Sequence, residues 1–330
     1  TERIGSTEIV DVRVLAGGVS NIVLYVSRDT GGDFVLKQAR EQLRVPDPWF
    51  CSVERIWREV AVMRLCGEIL ADVAHADLQI QPPDVLFEDR ENFVFAMSAA
   101  PAHQVWKQQL LTGVYQQKIA QACGRMLGRL HNATWHDDAA AKEFADQQFF
   151  VDLRVDPYYR HIASVHEDLR PAIDRLADSV QHERHCLVHG DFSPKNLLVW
   201  QSGVMLIDFE VGHYGDPAFD LGFLLAHLVL KAFHAAPDFE PMLSLIDAFW
   251  ESYLAELVSL SSNERLELET RTVINFAACA LARVDGKSKV EYLRTTHQAM
   301  VRKMCRQILF DAPEKWADAE VQIRTALRSD

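Results

Sequence analysis

The hydrophobic period of this chain changes once, near residue 100, and that change restricts the fold to one built from two unlike parts. Up to that point apolar and polar residues alternate in short runs, EIVDVRVL, IVLYVSR, DFVLKQ, VLFED and NFVFAMS, separated by turns such as Asp29-Thr30-Gly31-Gly32-Asp33. Alternation with Gly/Asp punctuation is the pattern of an antiparallel meander. Among these runs Val53, Ile56, Trp57, Val60 and Met63 recur at helical spacing, between a Pro46/Pro48 break and Pro82-Pro83. One helix among about five strands is therefore expected. Beyond Pro101 long helical periods take over, at Tyr115–His131, Pro171–His182, Pro217–Phe233, Pro241–Leu260 and Glu264–Arg283. Two short β-like runs interrupt them, Cys186–Asp191 and Asn196–Glu210, the second with a Ser202-Gly203 turn inside it. The expected class is α+β: a small antiparallel sheet with one helix in residues 1–100, a mainly helical part in 101–330, and a hinge at Ala96–His103.

Charge and cysteine usage narrow the partners. With 34 basic and 47 acidic side chains among 330 residues the formal charge is −13, which opposes nucleic-acid phosphates and acidic membranes. It favours a cationic partner, or serves solubility alone. Six cysteines without a CxxC pair suggest neither a disulfide framework nor a zinc ribbon, and fit a reducing cytoplasm. The longest apolar run, around Leu221–Leu230, is interrupted by His227 and falls short of the roughly 20 residues a spanning helix needs. No basic stretch followed by an apolar run opens the sequence, so neither a leader nor a membrane segment is expected.

The densest chemical signal is His189-Gly190-Asp191-Phe192-Ser193-Pro194-Lys195-Asn196, followed twelve residues later by Asp208-Phe209-Glu210. Any one of these residues alone is compatible with an ordinary capping turn. Together they supply what phosphoryl transfer requires, a carboxylate to orient a hydroxyl and take its proton, and oxygen donors to hold magnesium against nucleotide phosphates. Asp191 is the expected base, Asn196 and Asp208 the expected magnesium ligands, and Glu210 a candidate for a second ion.

This segment resembles the HxDxxxxN motif of the protein-kinase-like superfamily, in its aminoglycoside phosphotransferase and choline kinase branch. Gly190 stands where protein kinases carry arginine and Glu210 where they carry the glycine of DFG. No activation segment follows; the chain runs directly into Gly215-Asp216-Pro217-Ala218-Phe219-Asp220-Leu221, similar to the GDPxxDL helix start of small-molecule kinases. The resemblance implies a bilobal kinase-like fold that binds MgATP or MgGTP between its lobes and phosphorylates a small-molecule hydroxyl. It further implies that the Leu15–Asn21 turn, with Gly18, Ser20 and Asn21, covers the phosphates, although a plain hairpin turn uses the same residues. Lys37, the only lysine among the first hundred residues, would pair the α- and β-phosphates. A helix glutamate would hold it; Glu59 fits the pattern better than Glu54, and the two lie about 140° apart on a helix. On resemblance alone Val35, Ile22, Leu198 and Ile207 would sandwich the base, with Met97 and Ser98 offering backbone hydrogen bonds at the hinge. Asp220 would brace the catalytic loop and Asp216 cap the helix at Pro217, with His189 a bracing residue.

Other patterns carry less. HERH at His182–His185 is not HExxH, and Gly286-Lys287-Ser288 lacks the first glycine of a Walker A loop, Leu281 standing in its place. The surrounding ARVDGKSKVEYL reads as a connection between helices beside the acceptor pocket, or as surface charge. The acidic balance and the IDFE sequence lean toward an amino-alcohol or aminoglycoside acceptor, while sugar, methylthioribose, homoserine and macrolide kinases share the scaffold. A nucleotide-binding regulatory protein without transfer and a protein kinase are the alternatives.

Overall fold

A computed structural model describes residues 9–15, 20–44, 49–71 and 78–329. Strands β1 (Ile9–Val14), β2 (Asn21–Arg28) and β3 (Phe34–Ala39) form the expected meander, α1 (Arg55–Ala71) follows, and β4 (Gln79–Gln81), β5 (Val85–Asp89) and β6 (Val94–Ser98) complete the first part. The main sheet has the order β1-β2-β3-β6-β5 and is antiparallel throughout. Alternation in β3 sends Val35, Lys37 and Ala39 to one buried side. Phe34 turns the other way and packs with Val26 and Ala96 in a small separate cluster. One face of α1 buries Ile56, Val60 and Met63, and Arg55 and Glu59 go inward with them.

Strand β4 was not foreseen. It pairs in parallel with a strand near residue 204 and joins the second part of the molecule, and three residues are too few to display alternation. The chain leaves the main sheet at Ser98 and enters a four-stranded sheet, β4-β10-β9-β7, at β7 (Gln104–Val105). The expected hinge thus lies in the passage from one sheet to the other.

Helices then dominate: α2 (Trp106–Leu111), α3 (Gln117–Ala133), α4 (Asp138–Glu143), α5 (Gln148–Phe150), a π-helical stretch over Val151–Arg160, α6 (His161–Val165) and α7 (Arg170–His182). The β insertion comprises β8 (Cys186–Val188), β9 (Leu197–Trp200), β10 (Gly203–Leu206) and β11 (His213–Gly215). After it come α8 (Pro217–Ala235), α9 (Glu240–Glu256), α10 (Ser262–Asp285), α11 (Thr295–Asp311) and α12 (Trp316–Leu327). The five long helices expected from periodicity are present with ends shifted by a few residues; the short helices α2, α4, α5 and α6, the π-helical stretch, α11 and α12 are additions. Close packing of α3 on α9 depends on Gly124, where a Cβ would come within 2.3 Å of the Phe249 carbonyl oxygen. Helix α8 is long and apolar enough to cross a membrane, but 89% of that stretch is buried inside the protein, and it is the central helix of the core. All six cysteines are buried and unpaired.

Candidate active site

The first half of the site comes from β3 and α1. Lys37 Nζ donates to Glu59 Oε1 at 2.8 Å and to Asp208 Oδ1 at 2.5 Å. Glu59 is wholly buried on α1, whereas Glu54 lies exposed just before the helix begins, and it is Glu59 that contacts Lys37. Burial disfavours the Lys37 ammonium, but the carboxylates of Asp208, Glu59 and Glu210 outweigh it and hold the lysine charged well above its usual range. Burial likewise pushes Asp208 up, and Lys37 with Lys195 pulls it far below the usual carboxylate range. Asp208 sits at φ 72°, a left-handed conformation that costs a non-glycine residue energy and is retained where geometry at a site demands it.

The second half is the loop between β8 and β9. Asp220, buried in α8, accepts the backbone N–H groups of His189 (2.7 Å) and Gly190 (2.8 Å), and the Asp191 N–H donates to His189 Nδ1 at 3.1 Å. His189 therefore braces the loop, and burial keeps its ring basicity low. Gly190 has φ 74°, and a Cβ there would meet Val211 Cγ1 at 2.9 Å, which explains why no larger residue fits between His189 and Asp191. Asp216 caps α8 by accepting from the Ala218 N–H.

Asp191 is held on one oxygen. Its Oδ2 accepts from Asn196 Nδ2 at 2.9 Å, and Lys195 Nζ and Arg154 Nη2 approach the same atom at 2.8 and 3.0 Å. Oδ1 has no hydrogen-bond partner among the described residues. Burial raises the affinity of this carboxyl for a proton, but Arg154 and Lys195 overcome it and hold the group below its usual range. With its amide nitrogen committed to Asp191, Asn196 keeps its carboxamide oxygen as a donor, and Asp208 keeps Oδ2. Two hard oxygen ligands suit magnesium.

Glu210, the candidate for a second ion, has both carboxylate oxygens engaged by side chains. Its Oε1 accepts from Ser20 Oγ (2.7 Å), and its Oε2 from Asn21 Nδ2 (2.9 Å) and Arg55 Nε (3.0 Å). Glu59, Asp208 and Glu210 do bring carboxylate oxygens within 4.8 Å of one another, but Lys37 and Arg55 already supply the cations. Glu210 is a tie between the second part of the chain and the β1–β2 turn, and both its oxygens are used. Ser20 and Asn21, expected at the phosphates, direct their side chains to that tie instead; Gly18 lies outside the described residues.

The nucleotide-base candidates are divided between two sheets. Val35 lies opposite Met97 in the main sheet, Leu198 opposite Met205 in the second, and Ile207 donates its N–H to the Asn196 carbonyl. Ser98 needs correction: its N–H donates to the Asp84 carbonyl and its hydroxyl accepts from the Asp84 N–H, both at 2.9 Å. Its amide is thus spent inside the sheet, as any donor between two paired strands must be.

Three residues of the site escaped sequence reasoning. Arg55 uses all its guanidinium N–H groups, on Glu210 and the carbonyls of Cys51, Ser52, Ser20 and Arg40. A basic residue in the first turn of a helix opposes the macrodipole, and that anomaly was a usable signal. Arg154 carried none, because only the fold brings the π-helical stretch to Asp191. Lys195 was visible within the motif, one helical turn beyond Asp191.

A sheet-borne lysine fixed by a helix glutamate, set over a helical lobe carrying a braced aspartate–asparagine loop, defines a kinase-like phosphotransferase. The profile of the phosphotransferase enzyme family matches residues 11–254, and the chain belongs to that family. It is similar to the methylthioribose kinase of Pectobacterium carotovorum, 25% identical over 293 residues, 78% of this chain and 71% of that protein. The methylthioribose kinase of Yersinia pseudotuberculosis is 26% identical over 288 residues, 76% of this chain and 68% of the relative. Among solved structures, an amicoumacin kinase in complex with AMP-PNP and Ca2+ shares the fold, with a TM-score of 0.57 at 16% identity over 92% of this chain and 90% of that one.

Proposed function

We propose that this protein transfers the γ-phosphoryl group of ATP, or GTP in its place, to a hydroxyl of a small molecule, with Asp191 as the base. The observation that carries this reading is the asymmetry of Asp191. Three donors converge on Oδ2 while Oδ1 is left to receive the proton of an incoming hydroxyl, and Arg154 and Lys195 keep the group ionised. Lys37, held by Glu59, is positioned to pair the nucleotide phosphates. Val35, Met97, Leu198 and Ile207 offer apolar surface to the base. A magnesium ion held by Asn196 and Asp208 would neutralise charge on the phosphates. The chain's own residues then act by positioning and electrostatics, and no covalent intermediate is required. The methylthioribose kinases among the relatives favour a sugar-like hydroxyl as acceptor, and the AMP-PNP of the amicoumacin kinase favours ATP as donor.

Asp191→Asn tests the reading. Turnover should fall by about a hundredfold or more with nucleotide affinity nearly unchanged, measured as ADP release and by nucleotide titration with and without magnesium. Unaltered turnover would remove Asp191 from the chemistry, and nucleotide binding without any magnesium-dependent ADP release would favour the regulatory reading.

A further inference from the structure

Beyond Asp191 the helical lobe gathers positive charge. Arg154, which holds Asp191, lies over the rings of Tyr158 and Phe223, at 6.0 and 5.7 Å. The Phe223 ring meets that of His227 at 4.9 Å, and Tyr158 Oη accepts from Arg283 Nη1 at 3.1 Å. One turn past His227, Lys231 is 1% exposed; its Nζ donates to the His227 carbonyl at 3.0 Å and lies 5.4 Å from the Tyr292 ring. Lys107 on α2 and Lys195 complete the group from the solvent side, both exposed, with α2 packed against the Pro194–Asn196 turn and α8.

Arg154 and Lys195 share one carboxylate, that of Asp191, and the other cations of the group have less. Among the described residues no carboxylate forms an ion pair with Lys107, Lys231 or Arg283. Asp285, close in sequence to Arg283, is turned to Arg302 and His166, and Asp191 is shared by Arg154 and Lys195. The exposed Glu291 acts on Lys107 from the surface. Arg283 Nη1 also donates to Ser288 Oγ at 2.6 Å, while Arg283 Nε and Tyr292 Oη are buried without partners among the described residues. Burial, then the charges of Lys107 and Arg283, depress the basicity of Lys231; His227 is depressed by burial and then by Lys231, Arg283, Lys195 and Lys107. A buried ammonium facing other cations is costly, and the cost is relieved by shedding the proton or by a negative group that joins it and restores the charge. Arginine beside lysine is the pairing that carboxylates and phosphates select.

We propose that this basic cluster receives an oxyanion, a carboxylate or phosphate, carried by the acceptor itself, so that the enzyme phosphorylates a hydroxy acid or a hydroxylated phosphate ester in preference to a neutral or aminated counterpart. This rests on the kinase reading above and specifies its acceptor. Arg283 and Lys107 make the direct contacts, and Lys231 beneath them strengthens the field where water is excluded. The cluster reaches Asp191 through Arg154, so an acceptor anchored by its oxyanion presents a hydroxyl to Oδ1.

The test offers MgATP with matched acceptors on one skeleton: glycerol, 3-aminopropane-1,2-diol, glycerate and glycerol phosphate, then glucose, glucosamine, gluconate and glucose 6-phosphate. ADP release gives kcat/KM for each. The expected result is that the anionic members exceed their neutral and aminated counterparts by at least about tenfold, the loss typical of one charge-assisted contact; whichever anion leads identifies carboxylate or phosphate. Arg283→Gln and Lys231→Met should bring the anionic-to-neutral ratio toward one, mainly through KM, with Lys231→Arg preserving it. The wild-type comparison stands even where a variant does not fold. Neutral or aminated acceptors used equally well or better would overturn the proposal and leave the kinase intact. Absence of any ADP release that Asp191→Asn abolishes, with acceptor or with water, would overturn the kinase reading and this proposal with it.

Discussion

Replacing Lys37 by Met would leave the carboxylate of Glu59 fully buried with no cation beside it. In the native protein Glu59 Oε1 accepts from Lys37 at 2.8 Å and Oε2 has no partner among the described residues, so the lysine is what offsets desolvation. Removing one member of a buried pair costs about 3–5 kcal/mol. The loss has a pH dependence of definite sign. Burial pushes the Glu59 carboxyl from 4.5 up to about 7, against the pull of Lys37. In the wild type, therefore, the penalty for charging this group accumulates as pH rises from 4.5 and levels off above about 7. Without Lys37 the folded-state value climbs further. The unfolded chain then holds fewer protons than the folded one beyond pH 7, and stability continues to fall at about 1.4 kcal/mol per pH unit. Asp208, the other partner of Lys37, has a side chain 23% exposed and is better able to use water. Between pH 7 and 9 the variant should lose roughly 2–3 kcal/mol more than the wild type, read from urea unfolding followed by circular dichroism. A Lys37→Met/Glu59→Met double variant should regain most of the loss, as apolar replacements of buried pairs do. Parallel pH profiles, or a double variant no more stable than the single one, would refute the reasoning.

Arg154→Met removes one of the two cations that hold Asp191 ionised, so the acid limb of the kcat–pH profile should move upward by about one unit or more; a limb that stays in place would deny Arg154 that role. Gly190→Ala places a side chain at φ 74° and 2.9 Å from Val211, and should cost at least about 1–2 kcal/mol, seen as a lowered thermal midpoint. His213 is buried and stacks on Phe150 at 4.2 Å, and burial depresses it from 6.5 to about 4. Below pH 6.5 the unfolded chain takes up a proton that the folded one declines, so stability falls on acidification, by roughly 2 kcal/mol at pH 5 from this group. His213→Phe should flatten that part of the profile in urea titrations at pH 7.5 and 5.

What the sequence determined by itself was everything that local order can express. The change of period near residue 100 separated sheet from helices, because alternation and the 3.6-residue repeat are properties of contiguous residues. The loop from His189 to Asn196 and the turn at Asp208 stood out as a candidate site because one short β insertion carries both. Between Glu54 and Glu59 the sequence left the choice open; the start of α1 at Arg55 decided it by leaving Glu54 outside the helix. Strand β4 was missed because its partner lies more than a hundred residues away, and three residues hold no pattern of their own.

Only the tertiary structure decided how the charges pair. Glu210 looked like an ion ligand in the sequence, yet Arg55, Ser20 and Asn21 converge on it from residues far away in the chain. The overall charge of −13 suggested a cationic acceptor, while the side chains gathered beyond Asp191 are themselves cationic. Net charge is a sum over the whole surface and is indifferent to position. Interactions between exposed charges are largely screened beyond about 8–10 Å in physiological salt and are felt most strongly where burial lowers the dielectric. Which charges meet there is therefore set by packing, as with Lys231 on the mainly apolar core helix α8.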